Sequence, residues 1–200
     1  MNAGDGKQQD AGLWLYASVS PKPVAGKWLT TYGVEYRSKE NFRETSLWSA
    51  VVNVDYIFNP YLRAGAGYEF FLNRQADGKY TPEHRYYPEA ILSYTRGAFS
   101  TSLRSRIMNT FTQWSDPCWE GRHKLKASHA IPHVRLKPFI AVEPYHDVYP
   151  VKQGFTKIRY FAGFTYSVSH QKIDIYYLRE DYLHNPFVRN VIQIEYNYAF

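Results

Sequence analysis

Five residues between positions 123 and 143 are of the types that acyl transfer uses: His123, Ser128, His129, His133 and Glu143. A serine nucleophile, a histidine base and an acid that orients the base divide ester hydrolysis into two easier steps. Some barrels use such a group on their lipid-facing wall to cleave acyl chains. In an extended segment, however, His129 shares the parity of Leu125 and Ala127, while Ser128 points to the opposite side. That breaks a direct pair. No Gly-x-Ser-x-Gly sequence is present, and no dense His/Asp cluster suggests a metal. A histidine at a membrane interface is more often a polar anchor than a base, so no catalytic residue, metal or cofactor is expected.

The second chemical series is electrostatic. Glu35, Asp55, Glu69 and Glu89 recur in the first half of the chain at one strand parity. Arg104, Arg106, Lys124, Lys126, Arg135, Lys137, Lys157 and Arg159 occupy the matching parity of four consecutive segments in the second half. Glu143, Asp174 and Glu195 return acid towards the end. Neighbouring segments are expected to be neighbours in a sheet. One side of a closed interior should therefore be acidic and the other basic.

The elements that must carry these groups are strands. In the stretch Val188–Phe200, Ile192, Ile194, Tyr196, Tyr198 and Phe200 alternate with Gln193, Glu195, Asn197 and Ala199. Side chains alternate faces along a strand, so one face is apolar and the other polar. About eleven such segments follow one another from residue 11, with examples at 28–37, 47–58 and 61–72. Their lengths fit membrane strands of roughly 9–11 residues with overhang. Short connections near 21–27, 59–60, 96–98, 132–133 and 169–171 alternate with longer ones near 38–46, 73–85, 110–121, 146–155 and 180–188. Outer-membrane barrels pair short periplasmic turns with longer outside loops, which would put Phe200 at the periplasmic end.

Bulk properties agree. The chain has 200 residues, 19 tyrosines and five tryptophans, more aromatic rings than a soluble core needs but suited to interface girdles. No run approaches the roughly 20 apolar residues of a membrane helix. The net charge of +6 would raise nucleic-acid binding, but most basic residues fall on the inward parity, so no nucleic-acid partner is expected. Cys118 excludes an internal disulfide and reads as a spare thiol. Residues 1–10 lack a signal-like apolar stretch and read as a flexible leader of a mature chain, with 11–200 as one barrel domain.

The second half, with LKPFIAVEPYHDV, FTKIRYFAGFTY and the closing IEYNYAF, resembles a family of Bacteroidota outer-membrane barrels catalogued as a domain of unknown function, number 2490. The early KWLTTYGVEYR is similar too. The resemblance implies fold and location and brings no catalytic residues. It also implies that barrel-assembly machinery reads the terminal aromatics Tyr196, Tyr198 and Phe200.

The resulting expectation is an all-β, antiparallel transmembrane (outer-membrane) β-barrel of about 10–12 strands. Single-chain bacterial barrels have even strand numbers, so an odd count implies either a hidden crossing or an unusual segment at 11–20. Small barrels are nearly filled by side chains, which favours a lumen occupied by opposed charges over an open path preferring anions. The expected role is a structural or accessory envelope component or a restricted pore, in contact with outer-membrane lipid and lipopolysaccharide. Another outer-membrane protein is a further candidate partner. A lipid acyl hydrolase and a soluble ligand-binding barrel, which would turn the apolar face inward, are the alternatives.

Overall fold

The computed structural model describes residues 8–112, 115–149 and 154–200, and every long element in them is a strand. The eleven are β1 (Gln8–Ser20), β2 (Trp28–Lys39), β3 (Glu44–Ile57), β4 (Leu62–Arg74), β5 (Tyr80–Arg96), β6 (Phe99–Thr112), β7 (Ser115–His129), β8 (Leu136–Tyr149), β9 (Phe155–Val168), β10 (Gln171–Tyr182) and β11 (Phe187–Ala199). Each pairs antiparallel with its sequence neighbours, and β1 closes on β11 to complete a barrel. Period-2 patterning explains the strands. In β3, Trp48, Ala50 and Val54 are exposed, while Leu47, Ser49 and Asp55 are buried.

The odd count resolves at this closure. In an up-and-down meander of eleven strands the first and last run the same way, so they can join only in parallel. Gln8 pairs with Phe187 and the register continues without a shift to Ser20 and Ala199. Residues 11–20 are thus a full wall strand, one that begins three residues earlier than the sequence boundary.

The long polar connections are much shorter than their sequence suggested. The stretch 73–85 is mostly ladder, with Asn73 opposite Thr81 and Arg74 opposite Tyr80, leaving only 75–79 as a turn. β3 likewise begins at Glu44, and β10 continues to Tyr182. Connections at the two ends are therefore of similar length.

The outer surface carries the apolar parity around the whole circumference: Leu15, Val34, Leu92, Leu103, Leu125, Ile140 and Ile192 are all exposed. This arrangement is the reverse of the one a soluble ligand-binding barrel requires. Aromatic rings form two bands. Near one end Trp28 packs edge-on to Tyr56, and Tyr56 to Phe58. Towards the other end, Tyr36 meets Trp48, and Tyr86 meets Phe111 and Trp119. Trp28 opposes Tyr56 and Tyr36 opposes Trp48 across one strand pair, so the bands are held at a fixed spacing.

Candidate functional site in the lumen

The inward parity builds the site. Glu143 on β8 is completely buried and is the hub. Its Oε1 lies 3.0 Å from Arg104 Nη2 on β6 and 2.8 Å from Arg122 Nε on β7. Tyr145 donates its hydroxyl to Oε2 at 3.2 Å. Arg159, directly opposite Glu143 on β9, donates to the Tyr145 hydroxyl and pairs with Glu180 on β10. Glu180 is itself fully buried and opposes Arg189 on β11 at 3.6 Å, and Arg189 opposes Asp10 on β1 at 3.2 Å. One chain of alternating charges therefore crosses the wall from β6 to β1.

Strand register explains why these partners meet: Glu143–Arg159, Arg159–Glu180, Glu180–Arg189 and Arg189–Asp10 are all directly opposed residues on adjacent strands. Such pairs lie within about 5.5 Å between Cβ atoms. Burying a carboxylate is costly unless it is paired and hydrogen-bonded, and Glu143 meets both conditions.

The first half of the wall repeats the device. Arg106 donates to Glu89 at 2.6 Å across β6 and β5. Arg85 lies 3.6 Å from Glu69 across β5 and β4, and Arg63 lies 3.8 Å from Asp55. Glu35 takes Arg37 of its own strand at 2.7 Å. Charge is thus balanced mainly along the wall, between neighbours, and not by an acidic side facing a basic one. A longer-range contact spans the interior, Lys126 to Asp174 at 3.9 Å from β7 to β10. Asp174 also takes Lys172 at 2.7 Å.

The remaining expected residues distribute as follows. Glu195 accepts from Gln193 at 2.8 Å and from the Tyr176 hydroxyl. Lys157 lies 4.0 Å from Glu120 and over the Tyr145 ring. Lys137 donates to Ser100 at 2.9 Å. Lys124 sits 3.7 Å above the Phe161 ring with Tyr176 beyond, and no ion pair to it is formed among the described residues. Arg135 does not line the lumen. It is exposed in the 130–135 connection, because the strand starts only at Leu136. Tyr196 is exposed on the outer face, and the Tyr198 and Phe200 rings pack edge-on at 5.1 Å.

Asp10, Arg85, Arg189 and Glu180 belong to the network but were not among the expected residues, whereas Arg37 and Arg63 follow the inward parity of Glu35 and Glu69. Glu180 was hidden because its segment, LREDYLHNPF, reads as a loop. Its signal was available: it continues the parity of Asp174, Tyr176 and Leu178.

Two contiguous cavities of about 500 and 520 Å³ occupy the interior. Both are lined by Arg63, Arg104, Lys124, Lys172, Tyr176 and Glu195. The first is also lined by residues of the 58–61 turn, so it reaches that rim. Met108, almost fully buried, clusters with Tyr87 and with Tyr145 of the Glu143 hub. The arrangement is a cation-rich chamber with a mouth at one end, walled by the arginines of the charge network.

The acyl-transfer candidates weighed from sequence are separated by the wall. Ser128 and Glu143 point inward, with Ser128 donating to the Ser100 carbonyl at 3.3 Å. His129 is exposed at the end of β7, and His133 lies in a turn at a φ of 63°. His123 is on the outer face and meets Ser105, which shares the outward parity of Leu103 and Ile107.

Architecture and interior define a closed, charge-lined barrel with an apolar exterior. Residues 11–185 match the family model described as a protein of unknown function (DUF2490), and the chain belongs to that family. No curated protein and no solved structure matches it.

Proposed function

We propose that this protein is an outer-membrane barrel acting as a structural or accessory component of the cell envelope, with a lumen closed to bulk flow. The observation that carries this is the Glu143 hub, a fully buried carboxylate held by Arg104, Arg122 and Tyr145 and continued through Arg159 and Glu180. The chain runs along the wall and fixes long inward side chains from β6 to β1, which narrows the lumen. The chamber that this network lines has more Arg and Lys than Asp and Glu around it, so any ion that passes should be an anion.

Location in a membrane is supported by the apolar circumference and the two aromatic bands. Trp28 and Tyr36 are eight residues apart, about 27 Å along the strand at roughly 3.4 Å per residue. A tilt of about 40° reduces this to roughly 20 Å, close to the apolar band of about 25 Å in outer-membrane barrels. Phospholipid and lipopolysaccharide are the partners of that surface. Tyr196, Tyr198 and Phe200 are the groups offered to the assembly machinery, and a second outer-membrane protein remains a candidate partner for an accessory role.

The test is single-channel recording in planar bilayers. The native barrel should give little or no steady conductance, whereas Glu143→Ala should give small, anion-preferring events. Large stable steps from the native protein would overturn the closed-lumen reading. Heat-modifiable gel mobility after extraction in detergent checks the barrel itself.

A further inference from the structure

Polar side chains are costly on a lipid-facing wall and are rarely placed there without a role. Three of them converge on the outer face of β6, β7 and β8. Ser105 opposes His123, and the Ser105 hydroxyl lies 3.1 Å from His123 Nδ1. The imidazole of His146 stacks on that of His123, with ring centroids 5.1 Å apart and planes inclined by 6°. The backbone makes room for this stack. His146 opposes Gly121, and a Cβ at that position would strike the His146 ring, so only glycine lets the ring lie over β7.

The ladder is also open here. β7 and β8 pair at Arg122–Tyr145 and again at Leu125–Val142, and the interval between holds His123 and Pro144. Proline has no N–H to give a neighbouring strand. The group continues the aromatic band of Tyr86, Phe111 and Trp119, since Gly121 and His146 lie two and three residues from the opposed pair Trp119 and Tyr149. On the membrane reading above, that is where acyl esters of lipids meet the headgroup region.

We propose that Ser105, His123 and His146 form an esterase site on the outer wall that hydrolyses long-chain acyl esters of membrane lipids. With its proton on Nε2, His123 accepts from the Ser105 hydroxyl at Nδ1. Ser105 Oγ bonds to the ester carbonyl carbon and its proton passes to His123. The ester C–O bond breaks and the departing alkoxide takes that proton as an alcohol. Water, deprotonated by the same imidazole, then attacks the acyl–Ser105 ester, releasing fatty acid and restoring the hydroxyl. His146 touches no reacting atom. It is a positioning residue that fixes the plane of the His123 ring.

The test uses the full chain, refolded in detergent and checked by heat-modifiable mobility. An alkyl fluorophosphonate should leave an adduct on the Ser105 peptide, found by mass spectrometry. Ser105→Ala should abolish it, His123→Ala should reduce it at least tenfold, and the inward-facing Ser128→Ala should not alter it. His146→Ala should lower the rate of labelling and change its pH profile, which a merely structural loss would not do in protein that keeps its native mobility. Reconstitution with phospholipid vesicles, and separately with lipid A, should release free fatty acid from one of the two and so identify the source of the ester. Ser105 unmodified in folded protein would overturn the site and leave the pair a hydrogen-bonded anchor. An adduct without fatty acid from either lipid would overturn the hydrolase. Neither outcome depends on whether the lumen conducts, and failure to insert into vesicles would instead count against the membrane reading.

Discussion

Asp10 and Arg189 stand opposite one another across the parallel seam, 3.2 Å apart in space and 179 residues apart in the chain. A second bond, from Ser18 to Asn197 at 2.7 Å, joins the same two strands further along. Parallel pairing is slightly less stable per residue than antiparallel pairing, so the seam gains from these side-chain links. They also tie the barrel's first and last strands at both ends of one register.

Removing either link should loosen closure. Asp10→Ala leaves Arg189 with Glu180 at 3.6 Å, so the loss is expected to be about 1 kcal/mol, in the range of a partly exposed pair. Ser18→Ala strands the Asn197 carbonyl and should cost about 1 kcal/mol. Both should lower the temperature at which the compact gel band is lost, and the double variant should be nearly additive because the sites are eight positions apart in the strand.

Glu143→Ala should be the most damaging charge substitution in the lumen. It removes the shared partner of Arg104 and Arg122 and leaves two guanidinium groups uncompensated beside Arg159. Breaking a buried pair from one side costs about 3–5 kcal/mol. Glu143→Gln keeps an acceptor for the arginines and should cost less. Urea titration of detergent-refolded protein would rank the two, and equal losses would show that the missing charge of Glu143, not the missing acceptor, sets the cost.

Alternation made strand number and facing legible. The apolar parity of β3, β4 and β11 falls on the outer face as read from the chain, and Glu35, Asp55, Glu69 and Glu89 fall on the inner one. The strand ends were not legible, because beyond the apolar band both faces of a ladder are polar and period 2 disappears. Thr81 and Glu83 look like loop residues for that reason, yet oppose Asn73 and Phe71. Ion-pair partners were hidden for a different reason. Parity says only that Glu180 and Arg159 face inward, whereas register decides that they are directly opposed.

Gly65 and Gly121 should respond differently to the same substitution. A Cβ on inward-facing Gly65 would meet the Val54 carbonyl and the Asp55 Cα, which are backbone atoms and cannot swing aside. Gly65→Ala is therefore expected to cost about 3 kcal/mol, the upper range for overpacking. The nearest atoms to a Cβ on Gly121 belong to the His146 ring, the far end of a side chain that can rotate. Gly121→Ala should fold with near-native stability but lose the stack on His123. Refolding yield and denaturant midpoint would separate the two.

Tryptophan positions test the membrane surface directly. Trp28 and Trp48 are about half exposed on the outer wall, whereas Trp14 is 3% exposed inside, under the Arg37 guanidinium. In single-tryptophan variants reconstituted with brominated phospholipid, Trp28 and Trp48 fluorescence should be strongly quenched and Trp14 fluorescence should persist. Equal quenching of all three would contradict the assignment of faces, and no quenching of Trp28 and Trp48 would contradict a lipid-facing wall.

Cys118 gives the orientation. It is free and exposed, opposite Thr110 at the end of the barrel where β6 passes to β7. The other rim carries Lys22, exposed in the 21–27 connection, and the backbone of Phe200, whose N–H bonds to the Ser20 carbonyl at 3.0 Å. If the assembly machinery receives the β11 end in the periplasm, the Cys118 end faces the exterior. A membrane-impermeant maleimide should then label Cys118 on intact cells. The double variant Cys118→Ala, Lys22→Cys should be labelled only after the outer membrane is permeabilised. The reverse pattern would invert the barrel, place the chamber mouth at the 58–61 rim on the outside, and make that mouth the point at which external anions meet Lys124 and Lys172.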